Sequence, residues 1–104
     1  MELAELREKI DRVDGEIIRL FAERMEICAG IAEYKRSCGM PVFDGKREKE
    51  KLDAVRLAAP EGMEEYTCAL FSHLMELSRA YQRSLLPGEE EKAETVTAKR
   101  DDGE

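Results

Sequence analysis

Apolar residues recur along the first third of the chain at alternating steps of three and four: Leu3, Leu6, Ile10, Val13, Ile17, Leu20, then, after a break, Ile27, Ile31 and Tyr34. This spacing predicts one helix over residues 3–37 with a heptad-like seam on one face. At about 1.5 Å per residue such a helix extends about 50 Å. A single globule of this chain length has a radius of gyration of only about 13 Å. The seam therefore calls for a second copy to cover it, and the pattern predicts a homodimer built on this helix.

Gly39 suits a helix C-terminus, and Pro41 cannot continue the helix. Val42 and Phe43 read as a short extended link, and Asp44 as the N-cap of a second helix over about 45–58. That helix stops near Pro60-Glu61-Gly62. A third helix is predicted over about 63–85. Its seam is Met63, Tyr66 or Thr67, Leu70, Leu74, Leu77, Tyr81 and Leu85, and Pro87-Gly88 ends it. No strand pattern and no internal repeat is present. The expected fold is thus all-α, with a long, a short and a medium helix in residues 1–86. Residues 87–104 are polar and aperiodic and read as a disordered acidic tail.

Composition agrees with helices: 39% of the 104 residues are charged, 6% are aromatic, and there is no Trp. The net charge of -7 is unevenly spread. Residues 89–104 hold seven acids and three bases, so the body is only mildly acidic. Neither a nucleic-acid surface nor a polybasic membrane patch is indicated. No apolar run reaches membrane-spanning length, and the amino-terminal residues lack the apolar core of a signal peptide. Cys28, Cys38 and Cys68 have no metal-type spacing and read as reduced thiols, two of them small core residues. The expected location is the cytoplasm.

The informative positions are polar residues on apolar faces. Arg24 stands in the break of the first helix's seam, where an unpaired charge is costly. Alone it reads first as half of a structural ion pair, or as a polar residue that fixes register. Lys35 changes that balance. It lies eleven residues on, about three turns and about 16 Å along the axis, so both side chains leave one face. Arg7 points roughly 100° away from Arg24 and suits a partner chain's pocket, or plain solvent. Glu48 lines up with Leu52, Val55 and Ala59 as an acid on an apolar face, or as a first-turn glutamate favoured by the helix dipole. Ser78 and Gln82 sit one turn apart beside the third seam, and they also suit a polar flank of the core. His73 reads as a surface residue. With Arg47, these residues make a cation-rich set that lacks a Ser/His/Asp arrangement, a metal-ligand cluster and a phosphate loop. The expected chemistry is a clamp for a compact ligand with two carboxylates, without cofactor or metal.

These residues resemble the AroQ-class chorismate mutases. The resemblance runs through Leu6-Arg7-Glu8-Lys9-Ile10-Asp11 with Val13-Asp14, Ala22-Glu23-Arg24, Lys35, Pro41-Val42-Phe43-Asp44, Arg47-Glu48, and Ser78 with Gln82. It covers residues 3–86. It implies an intertwined homodimer of three helices per chain and the rearrangement of chorismate to prephenate, an isomerase reaction of aromatic amino acid biosynthesis in the shikimate pathway. Carried over by position, Arg24 of one chain and Arg7 of the other hold the substrate carboxylates. Lys35 and Gln82 contact the ether oxygen, Glu48 accepts from the ring hydroxyl, and Asp44, Arg47 and Ser78 complete the polar shell. No second enzyme domain is read in the sequence, so the expected form is a free-standing, monofunctional mutase. Gly45 departs from it, since the family usually has a bulkier residue there and the loop is expected to be more flexible. The acidic tail has no counterpart in the family core. Three rival functions share these features: an isochorismate-pyruvate lyase on the same fold, a mutase of aminodeoxychorismate, and a non-catalytic helical dimer that regulates a shikimate-pathway enzyme. The lyases usually lack the Glu48 equivalent, and a scaffold has no need of Lys35, Arg47, Glu48 and Gln82 together.

Overall fold

The computed structural model describes residues 2–86, which form three helices: α1 (Leu3–Cys38), α2 (Gly45–Ala58) and α3 (Glu64–Ser84). The expected acidic tail, with Pro87-Gly88, lies outside the described residues. Helix boundaries fall within a residue of those read from the pattern. The start of α1 has a feature the pattern did not reveal. Glu2 and Glu5 form a reciprocal capping box, with the Glu2 backbone N–H donating to Glu5 Oε1 at 3.1 Å. Gly39 ends α1 at φ 73°, in the left-handed region that a glycine occupies without Cβ strain. Its neighbour Met40 donates its backbone N–H to the Lys35 carbonyl at 2.8 Å, closing the helix.

Asp44 caps α2 as expected, accepting from the Arg47 backbone N–H at 3.1 Å. α3 packs against both α2 and α1 and is the element that joins them. Val55 of α2 and Cys68 of α3 are buried where these two helices meet, and Arg56 donates to Glu65 across the same pair. A second small core joins Ala32 of α1, Val42 of the link and Leu86 after α3. Cys28 and Cys68 are buried and Cys38 is exposed, as the sequence led one to expect.

The third helix differs from its predicted seam. Tyr66, Leu70, Tyr81 and Leu85 are exposed, whereas Cys68, Met75, Ser78 and Gln82 are buried. The buried stripe is displaced from the leucine stripe by one residue, which is about 100° of rotation. α3 thus has two faces in use. One meets its own chain, and the leucine face, with Leu74 and Leu77 half-buried, leaves Leu70, Tyr81 and Leu85 open in the single chain.

The same holds for α1. Every residue from Glu2 to Leu20 is exposed, and the seam residues from Leu3 to Tyr34 stand 43–64% exposed. The molecule measures 54 × 34 × 23 Å, with a radius of gyration of 16.4 Å, well above that of a closed globule this size. No large side chain among the described residues is fully buried. No helix among them is long and apolar enough to cross a membrane.

Candidate functional site

The link and all three helices enclose a cavity of about 230 Å³. α1 contributes Arg24, Cys28, Ile31 and Lys35, which follow each other at steps of four, three and four on one face. The sharp stop at Gly39 sends the chain back, so that Val42 and Asp44 reach the cavity from the link. The first two turns of α2 bring Arg47, Glu48 and Lys51, and the buried stripe of α3 brings Met75, Ser78, Arg79 and Gln82.

Seven of the eight residues singled out in the sequence therefore meet at one place: Arg24, Lys35, Asp44, Arg47, Glu48, Ser78 and Gln82. The eighth, Arg7, is exposed on the first turns of α1 and does not line this cavity. Its angular separation from Arg24 was read from the helix period, and the structure keeps the two apart within one chain.

Charge is unbalanced here. Arg24, Lys35, Arg47, Lys51 and Arg79 bring five cations, against the two carboxylates of Asp44 and Glu48. Both carboxylates are engaged. Asp44 caps α2, and Glu48 is held by Arg79, whose Nη1 donates to Oε1 and Oε2 at 2.6 Å each. The pair is three-quarters shielded, with side-chain exposures of 25% and 23%. Arg24 makes no ion pair among the described residues, so the reading of it as half of a structural pair finds no acid to support it. Like charges gathered in a half-enclosed space repel, and an anionic ligand is the natural counterweight.

The neutral groups form a chain. Gln82 Nε2 donates to Ser78 Oγ at 3.1 Å, and Ser78 Oγ donates to Cys28 Sγ at 2.7 Å. This uses one of the two N–H bonds of Gln82. Its Oε1 is buried without a partner. A buried amide oxygen left so costs about 1–3 kcal/mol. Lys35 Nζ donates to the Val42 carbonyl at 2.9 Å and so ties the link to α1, with two further N–H bonds to offer. No group of three or more metal-type ligands occurs among the described residues.

Sequence reasoning missed Arg79, Lys51 and Cys28. Arg79 left a readable signal. An acid on an apolar face, as Glu48 is, requires a cation, and Arg79 lies beside Ser78 on the helix that must pack there. Cys28 was read as core, and it is buried, yet it also lines the cavity and accepts from Ser78.

The chorismate mutase type II family model matches residues 6–83. A chorismate mutase of Methanocaldococcus jannaschii is 37% identical over 87 residues, covering 82% of this chain and 88% of that protein. The T-protein of Haemophilus influenzae is 40% identical over 57 residues, 55% of this chain and 15% of its own length. A bifunctional chorismate mutase/prephenate dehydratase of Aquifex aeolicus is 41% identical over 54 residues, 52% of this chain and again 15% of its own. No solved structure matches the chain.

Proposed function

The chain belongs to the chorismate mutase type II family, and from that premise we propose that it is an isomerase that converts chorismate to prephenate. The observation that carries this reading is the excess of cations over committed carboxylates in a cavity of small-metabolite size. Chorismate has two carboxylates, a ring hydroxyl and an ether oxygen on which negative charge grows as the C–O bond breaks.

The reaction is unimolecular and gains or loses no group. The residues then have two tasks: to hold the compact conformer in which the reacting carbons meet, and to stabilise the charge of the transition state. Arg24 suits one carboxylate, as a planar donor with no acid paired to it among the described residues, and Arg47 adds to the polar shell. Lys35 and the free N–H of Gln82 suit the ether oxygen, where a donor that strengthens its bond only in the transition state contributes about 10²–10³ in rate. Glu48 suits the ring hydroxyl as acceptor, and Asp44 and Ser78 complete the polar wall. Two structural features fit a further part of the reading. The α1 seam is open, and Arg7 stands beside it, exposed and far from its own chain's cavity. A second copy laid along α1 would cover the seam and bring its own Arg7 to this site, making a homodimer with shared sites. A soluble substrate and unpaired thiols fit a cytoplasmic enzyme.

The test is to follow chorismate by ultraviolet absorbance and identify the product. Prephenate is expected. Salicylate with pyruvate would make the protein a lyase, and unchanged chorismate would make it a non-catalytic dimer.

A further inference from the structure

Glu48 presents two oxygens with about four acceptor positions in all. One nitrogen, Arg79 Nη1, straddles both oxygens at equal distance and occupies one side of the carboxylate. The remaining lone pairs are left for a donor in the cavity that both residues line. The guanidinium is itself held. It lies over the Phe43 ring at 5.4 Å to the centroid, a cation–π arrangement. That ring in turn occupies the space beside Gly45, where an added Cβ would come within 3.2 Å of it. The missing side chain at Gly45 thus admits Phe43, Phe43 backs Arg79, and Arg79 aims Glu48.

We propose that Arg79 is a positioning residue that fixes Glu48 as the acceptor for the substrate's ring hydroxyl, and so sets the protein's discrimination for that hydroxyl. The inference rests on the function proposed above. A surface ion pair would carry no such role, because solvent competes for both partners. Here both side chains are largely shielded and one face of each meets the cavity. Because a single nitrogen serves both oxygens, a lysine can replace the arginine, whereas a methionine of similar bulk cannot. This sets Arg79 apart from Arg24, for which a planar fork matters.

The experiment compares kcat/KM for chorismate with that for the analogue in which hydrogen replaces the ring hydroxyl. It uses the wild type, Arg79→Met, Arg79→Lys, Glu48→Gln and the double variant Glu48→Gln/Arg79→Met. A hydrogen bond to a charged acceptor predicts a wild-type preference for chorismate of about tenfold or more. Arg79→Met and Glu48→Gln should each lose most of that preference. The double variant should lose no more than either alone, since both act through one contact. Arg79→Lys should keep the preference within about threefold of wild type, and it controls for folding because the charge stays. A preference that survives in Arg79→Met, or losses that multiply in the double variant, would overturn the inference while leaving the parent reading intact. A wild type that yields no prephenate overturns the parent reading and this role with it. A uniform loss of activity in Arg79→Met with the preference retained marks a merely structural role and also overturns the inference.

Discussion

Arg24 is half-buried, lines the cavity and has no acid within ion-pair distance among the described residues. A cation left unpaired in such a place is held by the fold at some cost, and that cost is recovered when an anion arrives. Removing it should therefore harm binding and turnover more than folding. Arg24→Ala is expected to lower kcat/KM by about a hundredfold or more while shifting the thermal midpoint by only a few degrees. Steady-state kinetics together with a melting curve check this. An unfolded or dissociated variant would restore the structural reading of this arginine. At the same scale, Lys35 shows what spacing alone could not supply. Its shared face with Arg24 was legible, but its bond to the Val42 carbonyl depends on where the chain turns after Gly39.

Local chemistry ends α1 at Gly39 and starts α2 at Asp44, and these two ends place the site. Asp44 caps α2 and thereby sets the first turns that bring Arg47 and Glu48 to the cavity. Asp44→Ala should destabilise the chain by about 1 kcal/mol in denaturant unfolding. An equal stability would mean that water caps the helix as well as the carboxylate does. Gly39 takes φ 73°, with open space around its Cβ position. The strain in Gly39→Ala is then one of backbone rather than of contact, and it should cost about 1–2 kcal/mol by the same measurement. Gly45 behaves differently. It stands at an ordinary φ as the first residue of α2, and what a side chain would meet there is the Phe43 ring. The loop flexibility expected from this glycine finds a concrete counterpart instead: room for an aromatic ring under Arg79.

The whole molecule carries its largest apolar face on the outside. The seam from Leu3 to Tyr34 exposes nine large apolar residues that a solvated helix has no use for. Each Leu or Ile withdrawn from water stabilises by about 1–2 kcal/mol, so pairing two such helices is strongly favoured. Sedimentation at micromolar concentration should give twice the chain mass, and a monomer would sink both the dimer and the shared site. A functional test is sharper. Arg7→Ala and Arg24→Ala chains, mixed and allowed to exchange, form heterodimers with one intact site. About a quarter of wild-type activity should return if half the dimers are mixed. No recovery, with exchange verified, would place Arg7 outside the site.

Periodicity determined the three helices, their bounds and the open seam of α1, because a helix repeats every 3.6 residues and its ends require particular residues. It also marked Arg24 and Glu48 as charges on apolar faces, Lys35 on the face of Arg24, and Ser78 and Gln82 beside the third seam. Asp44, by contrast, reads as a helix cap and Arg47 as a first-turn residue, and their roles at the site came with the family resemblance. It could not tell which of two adjacent stripes on α3 would turn inward. Leu70, Leu74 and Leu77 are the more apolar choice, yet the chain packs the stripe of Cys68, Met75, Ser78 and Gln82 against itself. Local pattern ranks faces by hydrophobicity, whereas packing is decided by what each face meets, and α3 meets two helices of its own chain. The same limit hid the Arg79–Glu48 pair. Its partners lie 31 residues apart and become neighbours only once α2 folds back on α3. That contact is tertiary in origin, and it turns an acid on an apolar face from an anomaly into one side of a binding site.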